Sequence, residues 1–293
     1  MSVDGRVRSS RRGRSFVSLL PDMPGIRCPW DLAAKVVSDD DRCRAVAESA
    51  MVSFVRRGGS ASTCLAVSRA TDLLPTMLEL VRVPSSHVGM PNYIGVTVVP
   101  DGPGLRRGVW FESFNELHHL LDLMIDGGSR SVVTQPAPFE WCFPKGGVRE
   151  HTPDILVTDA DERPVLVDVT RAQKVTDDAA LLTILALTAA TCAALGWGYE
   201  VRTELPPQRC RNLRFLAGFR DELPAATEVL EAVRSASRFD ELERALGGGD
   251  SRAKALRAVA NGAVHLDLDQ GIAPHSAVST APVISARPWL VPL

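Results

Sequence analysis

The stretch HTPDILVTDADERPVLVDVT, residues 151–170, contains two short apolar runs separated by a polar turn. The runs at 155–157 and 165–167 are rich in β-branched residues and leucine, which predicts the two strands of a hairpin. Asp154 precedes the first strand and Asp168 ends the second, so we expect both carboxylates at the same end of a sheet. Ionised carboxylates held close together repel, and a divalent cation relieves that repulsion. The alternative is that each aspartate is an exposed strand-end residue with no ligand.

The segments on either side of the hairpin predict an α/β layer. Apolar residues at three- and four-residue spacing predict a buried amphipathic helix over 111–125 that ends at Gly127. Strands are predicted at 131–135, 139–143 and 199–203. Acids at Asp177 and Asp178 start a second helix, which is apolar nearly all round, is therefore expected to be buried, and ends at Gly196. Helix, three or four strands, buried helix and strand together indicate an α/β fold with acids meeting at one sheet edge.

An ordered series of motifs carries a resemblance to a known family. It runs from FESFNELHHLL through TQP, HTPDILV, VLVDV and GWGYEV to NLRFLAGFR. The series resembles the PD-(D/E)XK restriction-endonuclease-like nucleases and, among them, the TnsA-like endonuclease subunits of heteromeric transposases. The resemblance implies a restriction-endonuclease-like core over residues 105–220, with a mixed central sheet flanked by helices. It also implies cleavage of DNA at transposon ends, together with a DDE-type transposase and, in some systems, an AAA+ regulator.

The resemblance also assigns roles to individual residues. It makes Glu116 the helix acid, Asp154 the central metal ligand and Asp168 the second strand acid, with Val169 contributing a backbone carbonyl. These groups would hold Mg²⁺ or Mn²⁺, which would lower the pKa of a bound water and stabilise the leaving oxygen. The residues expected to support these ligands are Gln135, His151, Thr170 and Arg171.

One position departs from the family pattern. The motif usually ends in a lysine two positions after the second acid, and here that position is Thr170. A lysine there would orient the attacking water and stabilise charge on the transition state, which a neutral threonine does poorly. One explanation is a migrated lysine, with Lys174 or Lys145 reaching the site, or Arg171 stabilising charge. The other explanation is an inactive site on a fold that is kept for assembly.

Composition limits the classes of function. The chain has 293 residues, 45% hydrophobic content and a formal net charge of −2, so it is not a globally basic DNA-coating protein. Its six cysteines form no CxxC pair, so we expect reduced thiols and no zinc site. The longest apolar run is too short to span a membrane, and the arginine-containing start lacks the apolar region of a secretory signal. We therefore expect a soluble cytoplasmic protein with no membrane partner.

The flanks predict further modules. Residues 1–25 resemble a disordered basic arm, and 26–104 are predicted to be mainly helical, with RRGGS at 56–60 separating two helices. Residues 221–273 predict three helices followed by a strand at 263–268, which indicates a small winged-helix or helix-turn-helix-like domain. The third helix carries Arg252, Lys254 and Arg257, which either contact DNA or form an ordinary solvated face. Residues 274–293 are predicted to be an extended tail.

Three functions follow from these observations. The leading hypothesis is a metal-dependent DNA endonuclease subunit of a heteromeric transposase. The second is a stand-alone restriction or repair-like nuclease of the same fold. The third is a non-catalytic DNA-binding or assembly subunit with a degenerate site, which the replacement of the motif lysine by Thr170 favours.

Overall fold

The computed structural model of the protein describes residues 6–8, 30–73, 78–79, 93–101, 105–125, 129, 131–143, 147–158, 163–220, 226–281 and 287–291. The chain forms two compact units. Unit 1 comprises Met1–Ser113, Arg130–Thr203 and Leu290–Leu293, and unit 2 comprises Phe114–Ser129 and Glu204–Trp289. This division differs from the predicted boundaries, because the expected 105–220 domain contributes its helices at 114–125 and 207–217 to unit 2 and its strands to unit 1.

Unit 1 begins with two short helices and then turns to strands. Helix α1 covers Trp30–Val37 and α2 covers Asp40–Glu48, whose first turn is capped by the side chain of Asp39. The prediction of a mainly helical region over 26–104 is wrong beyond these helices. Buried Val52 and Phe54 alternate with more exposed neighbours along a strand, and this period of two is the pattern of a half-buried sheet. The RRGGS segment is the turn between two strands, with Gly58 at φ 73°.

The strands of this region build the N-terminal sheet. Its members are β1 (Arg6–Arg8), β2 (Met51–Arg56), β3 (Ser62–Ala66), β4 (Leu78–Glu79), β8 (Phe139–Cys142) and β9 (Val148–His151). The strand order is β1-β3-β2-β8-β9, with β4 also paired to β2. The prediction of a disordered arm over 1–25 is wrong at β1, which pairs with β3, and the rest of that arm lies outside the described residues.

The hairpin of residues 155–167 belongs to a second sheet, which we call the central sheet. Its strands are β7 (Ser131–Thr134), β10 (Ile155–Thr158), β11 (Pro164–Val169), β12 (Gly198–Arg202) and β13 (Leu290–Val291). They lie in the order β13-β12-β11-β10-β7. The predicted antiparallel hairpin of β10 and β11 is confirmed, whereas β11 and β12 run parallel, so the sheet is mixed. Strand β8, expected in this layer, pairs with β2 of the N-terminal sheet instead.

A buried helix connects the parallel strands β11 and β12. Helix α5 covers Ala179–Leu195; the Asp178 side chain caps it by accepting from Leu181 N at 3.0 Å, and Gly196 ends it at φ 74°. The polar segment before it, expected to be irregular, forms the short helix α4, Ala172–Asp177. Side chains of α5 pack with those of α1, α2 and both sheets in one apolar core. A parallel pair requires such a crossover, so α5 sets the direction of β12.

A separate two-stranded sheet completes unit 1. Strands β5 (Gly95–Pro100) and β6 (Arg106–Phe111) pair antiparallel. Buried Asp101 at the end of β5 accepts hydrogen bonds from Arg57. Arg107 of β6 donates to the carbonyl of Val132 at 2.8 Å, so the hairpin is anchored to β7.

Unit 2 is helical in its described residues. It contains α3 (Phe114–Ile125), α6 (Pro207–Ala217), α7 (Ala226–Arg234), α8 (Phe239–Leu246) and α9 (Ser251–Ala260). These confirm the helix predicted from 111–125 and the three predicted after residue 221. The strand predicted at 263–268 is wrong: His265 forms only an isolated bridge with Ser279. Val264, Leu266 and Leu268 are buried without a neighbouring strand, so their alternating burial does not require a sheet.

The molecule is therefore a mixed α/β protein with several sheets. Among the helices of the described residues, none combines the length and the apolar character needed to cross a membrane.

Candidate active site

The two aspartates of the hairpin lie at one end of the central sheet. The last paired residues of β10 and β11 are Ile155 and Val167, so Asp154 and Asp168 occupy the next opposed positions. Asp154 is fixed on both sides: its carbonyl accepts from Gln135 N at 2.7 Å, and its Oδ2 accepts from Val169 N at 2.7 Å. The predicted placement of the two acids at the same sheet end is confirmed. Asp154 therefore lies opposite Asp168 at the end of the two strands.

The Asp168 carboxylate is nearly fully buried, with 3% of the residue exposed. Its Oδ2 accepts a hydrogen bond from the Tyr199 hydroxyl at 2.5 Å, and His151 Nε2 lies 3.0 Å from both carboxylate oxygens. Tyr199 reaches it because parallel pairing puts Tyr199 opposite Leu166, on the same sheet face as Asp168. His151, expected to support the ligands, therefore contacts one of them directly.

The surroundings of Asp168 preserve the protonated form of its neighbours. Burial raises the pKa of Tyr199 far above its usual value, and the negative charge of Asp168 and its hydrogen bond add to the effect. The phenol therefore stays protonated and donates. Burial, followed by the charge of Asp168, likewise raises the pKa of the Cys192 thiol well above its usual value. Both pKa values are raised in part because the negative charge of Asp168 disfavours a second negative charge beside it.

No lysine or arginine forms an ion pair with Asp168 in the part of the chain that the structure describes. Its partners are the Tyr199 phenol, which is neutral, and the His151 imidazole, which is charged only when protonated. A buried carboxylate without a permanent counter-charge is costly. The site therefore holds a buried carboxylate that no lysine or arginine of the described residues neutralises.

The expected Mg²⁺ or Mn²⁺ site depends on the carboxylates of Asp154 and Asp168. Across the described ranges, no group of three or more His, Cys, Asp or Glu residues is placed to hold a metal ion. Magnesium, however, keeps several waters and is commonly bound through one or two carboxylates together with substrate phosphates. Asp154 and Asp168 supply two such carboxylates at one strand end, and the buried charge of Asp168 is the feature that a cation would neutralise.

The remaining residues that were predicted to form the site belong to several different elements. Glu116 lies in the first turn of α3, in unit 2, and the expected group of three converging acids is not seen among the described residues. Thr170 N donates to the Arg202 carbonyl at 2.9 Å, which continues the pairing of β11 with β12. Arg171 is the N-cap residue of α4, and Lys174 is an exposed residue of the same helix. Lys145 lies outside the described residues.

Sequence reasoning missed two groups near this strand end. Tyr199 was treated only as a strand residue, although its position in GWGYEV, next to a predicted parallel partner, was the available signal. The second group is an ion pair on β12, where buried Arg202 donates to partly exposed Glu200 Oε2 at 2.6 and 2.8 Å. The Arg202 carbonyl accepts from Thr170 N, but alternation along β12 puts the guanidinium on the opposite sheet face from Tyr199 and Asp168, so it does not fill the position of the motif lysine.

Gln135 has an unusual backbone conformation at the same sheet end. It is buried and adopts φ 46°, a left-handed conformation that costs free energy for a residue with a side chain. Its N–H donates to the Asp154 carbonyl. The strained residue therefore holds the backbone of Asp154, which agrees with the supporting position predicted for Gln135.

The basic residues predicted to contact DNA on α9 are engaged by acids of unit 2. Arg252 lies 3.1 Å from Glu243, Lys254 lies 3.1 Å from Glu228, and Arg257 lies 3.9 Å from Asp250. These pairs give α9 the character of a charge-balanced solvated surface, which was the alternative interpretation of its sequence.

Comparison with known protein families and with curated proteins finds no match to this chain.

Proposed function

We propose that this protein is a metal-dependent DNA endonuclease subunit of a heteromeric transposase. It would hydrolyse a DNA phosphodiester at transposon ends, together with a DDE-type transposase and, where present, an AAA+ regulator. The observation that carries the proposal is the buried Asp168 carboxylate, which lies beside Asp154 at one sheet end and has no lysine or arginine partner among the described residues. The series of motifs from FESFNELHHLL to NLRFLAGFR supports the choice of family.

The order of elements supports the same family. Helix α3 is followed by β7, by β8 and β9 of the N-terminal sheet, and then by β10, β11, α4, α5 and β12. The four strands of the central sheet are neighbours in the order β7-β10-β11-β12. Three antiparallel strands followed by a crossover helix and a parallel strand place the acids of β10 and β11 at a common end. This is the arrangement expected of a restriction-endonuclease-like core, for which the central sheet is our candidate.

In this proposal each residue has a defined task. Asp154 and Asp168 would hold Mg²⁺ or Mn²⁺, with the Val169 carbonyl as a further ligand. The bound cation would supply the activated water and stabilise the charge that develops on the phosphate oxygens. Tyr199 fixes the Asp168 carboxylate by donating to Oδ2, and the Val169 N–H fixes Asp154. His151 Nε2 lies 3.0 Å from both oxygens of Asp168 and holds the carboxylate in position.

A second function is favoured by a specific observation. Both oxygens of Asp168 already have partners in His151 and Tyr199, and Thr170 stands where the family has a lysine. A protonated His151 would satisfy the buried charge without any metal. In that case the fold would serve as a non-catalytic subunit that binds DNA or the transposase.

The deciding experiment measures nicking of DNA that carries candidate transposon ends. The wild-type chain is incubated with Mg²⁺ or Mn²⁺ and the presumed partner transposase, beside the variants Asp154→Ala and Lys174→Ala. We expect cleavage that requires metal and is lost in Asp154→Ala. Loss in Lys174→Ala as well would identify the migrated lysine.

The matched control is Asp177→Ala, because this exposed aspartate of α4 contributes a carboxylate near the same strand but not at its end. It should cleave as the wild type does. Cleavage retained by Asp154→Ala would reject the proposed site. Binding of DNA or transposase without cleavage under either metal would support the non-catalytic subunit.

A further inference from the structure

A surface of unit 2 formed by α3 and α6 combines aromatic and cationic side chains. We call it the α3/α6 face and define it by Phe114, His118, Arg211, Arg214 and Phe215. Phe114 and Phe215 are 46% and 50% exposed, which is unusual for phenylalanine in a packed helical unit. The ring of Phe114 stacks on His118 with centroids 6.4 Å apart, and Phe215 lies 5.2 Å from Phe219.

The burial pattern of α6 separates its two sides. Arg209, Asn212, Leu213 and Leu216 are buried, whereas Arg211, Arg214 and Phe215 are exposed. The exposed residues are three and four positions apart, so they lie along one stripe of the helix. The buried side is held by Asn212 Nδ2, which donates to the carbonyls of Leu268 and Gln270. Hydrogen bonds and packing on the buried side therefore fix the helix that carries the exposed stripe.

The two helices contribute to one continuous surface. Helices α3 and α6 pack against each other in unit 2. The pKa of His118 on α3 is lowered by burial and, in addition, by the positive charge of Arg214 on α6. His118 in turn stacks on Phe114. The aromatic pair of α3 and the cationic stripe of α6 are thus neighbours within unit 2.

The charges of the α3/α6 face differ from those of α9. Among the described residues, neither Arg211 nor Arg214 forms an ion pair with a carboxylate: Arg211 donates to the amide oxygen of Gln208, and Arg214 donates to the Cys210 carbonyl. Helix α6 itself contains three arginines and no acid. The cations of α9, in contrast, all face Glu or Asp. Of these two helices, α6 is therefore the one whose exposed arginines are not paired with carboxylates.

We propose that the α3/α6 face binds the sugar-phosphate backbone of duplex DNA. Arg211 and Arg214 would contact phosphates, which is the interaction that supplies most of the affinity for DNA and makes it dependent on salt. Phe215 beside them would pack its ring on sugar or groove edges, as apolar side chains of DNA-binding proteins do. Charge complementarity selects a polyanion over an acidic or apolar protein surface, because the two arginines lie next to one another with no carboxylate partner. The choice of DNA rests on the proposed function, while the site itself is distinct from Asp154 and Asp168.

The experiment measures binding of the full chain to a short fluorescent DNA duplex by anisotropy, in EDTA, across a series of salt concentrations. EDTA removes divalent metal, so binding is observed without cleavage. The double variant Arg211→Ala/Arg214→Ala should bind roughly tenfold more weakly or worse at low salt, with the slope of log affinity against log salt reduced by about two. Phe215→Ala should weaken binding with an unchanged slope, because it removes no charge.

The matched control is Arg252→Ala/Arg257→Ala, which removes the same number of charges from α9. It should bind DNA as the wild type does. The result that overturns the proposal is a loss of binding in the α9 variant with none in the α6 variant, or wild-type chain that binds no DNA. If the α6 variant loses affinity for the partner transposase but keeps its DNA affinity and slope, the face is a protein interface and the proposal also fails.

The failure of this proposal is separable from that of the proposed function. Asp177→Ala should bind the duplex normally in EDTA, because this exposed residue of α4 lies in unit 1 and is part of neither the face nor the proposed nuclease site. If the chain never cleaves DNA but its DNA affinity still depends on Arg211 and Arg214, the binding surface is supported and only the nuclease assignment fails. Circular dichroism checks that each variant folds. Because the substituted side chains are exposed, we expect the spectra to match that of the wild type.

Discussion

Two buried aspartates, one in each unit, differ in how their charge is compensated. Asp122 of α3 and Asp168 of β11 are both 3% exposed. Asp122 accepts from Arg209 Nε at 2.6 Å, and the same guanidinium lies 4.9 Å from the ring of Trp289. Asp168 instead faces Tyr199 and His151. A permanent counter-charge makes Asp122 a structural residue, whereas its absence leaves Asp168 able to accept a cation.

The largest expected effect comes from removing the permanent counter-charge. Arg209→Ala should lower the free energy of unfolding of unit 2 by about 3–5 kcal/mol, because the buried Asp122 carboxylate would lose its guanidinium counter-charge. Chemical denaturation measures this change. Arg211→Ala is the control, since this neighbouring arginine is exposed and its removal should cost about 0.5 kcal/mol or less. Equal losses in the two variants would contradict the structural role of the Asp122–Arg209 pair.

The next effect tests the charge of Asp168 directly. Mg²⁺ or Mn²⁺ at about 100 times its dissociation constant should stabilise the wild type by about 2.7 kcal/mol, and Asp168→Asn should abolish this stabilisation. Thermal unfolding with and without metal measures it. Asp177→Asn should keep the response, because that carboxylate is exposed. A wild type that metal does not stabilise would favour the non-catalytic subunit with a protonated His151.

A third effect concerns the hydrogen bond that fixes Asp168. Tyr199→Phe should cost about 1–3 kcal/mol, because a buried acceptor loses its donor. The pKa of Tyr199 is raised in the folded protein, so its contribution is fully present below pH 10.0, the ordinary value, and is lost as the pH rises above it. The difference between wild type and variant should therefore shrink in alkali. Tyr93→Phe is the control, since Tyr93 is 55% exposed, and its effect should be near zero at any pH.

The smallest effect is expected on α9. Arg252→Ala removes an exposed ion pair with Glu243 and should change the free energy of unfolding by less than about 1 kcal/mol. High salt should reduce the difference further. Urea denaturation at two salt concentrations measures it. A loss comparable with that of Arg209→Ala would show that exposed pairs stabilise unit 2 as much as the buried one does.

Sequence patterns predicted the positions of helices and strands better than they predicted which strands pair with each other. The hairpin of β10 and β11, the start of α5 at Asp178 and its end at Gly196 were all predicted, because local periodicity, capping and glycine conformation are properties of adjacent residues. The region after α2 was wrongly predicted as helical. Strands β2 and β3 of this region form a local hairpin with alternating burial, a signal that the helical prediction overlooked, whereas the pairing of β2 with β8 joins distant parts of the chain.

The candidate site shows the same division. The positions of Asp154 and Asp168 at one strand end followed from the hairpin, and His151 followed from its closeness in sequence to Asp154. Tyr199 did not, because it is 31 positions from Asp168 and reaches it only through the parallel pairing of β12. The predicted strand at 263–268 failed for a related reason, since buried alternation in a helical unit does not require a sheet partner.

The sequence by itself determined the hairpin, the caps of α5 and the joint placement of Asp154 and Asp168, because each depends on the backbone preferences of neighbouring residues. Only the tertiary structure decided which groups surround each buried charge. Arg209 and Asp122 are 87 positions apart, and their pairing depends on how α3 and α6 pack. Burial makes a charge require compensation, and the fold determines whether an arginine, a protonable side chain or a cation can supply it.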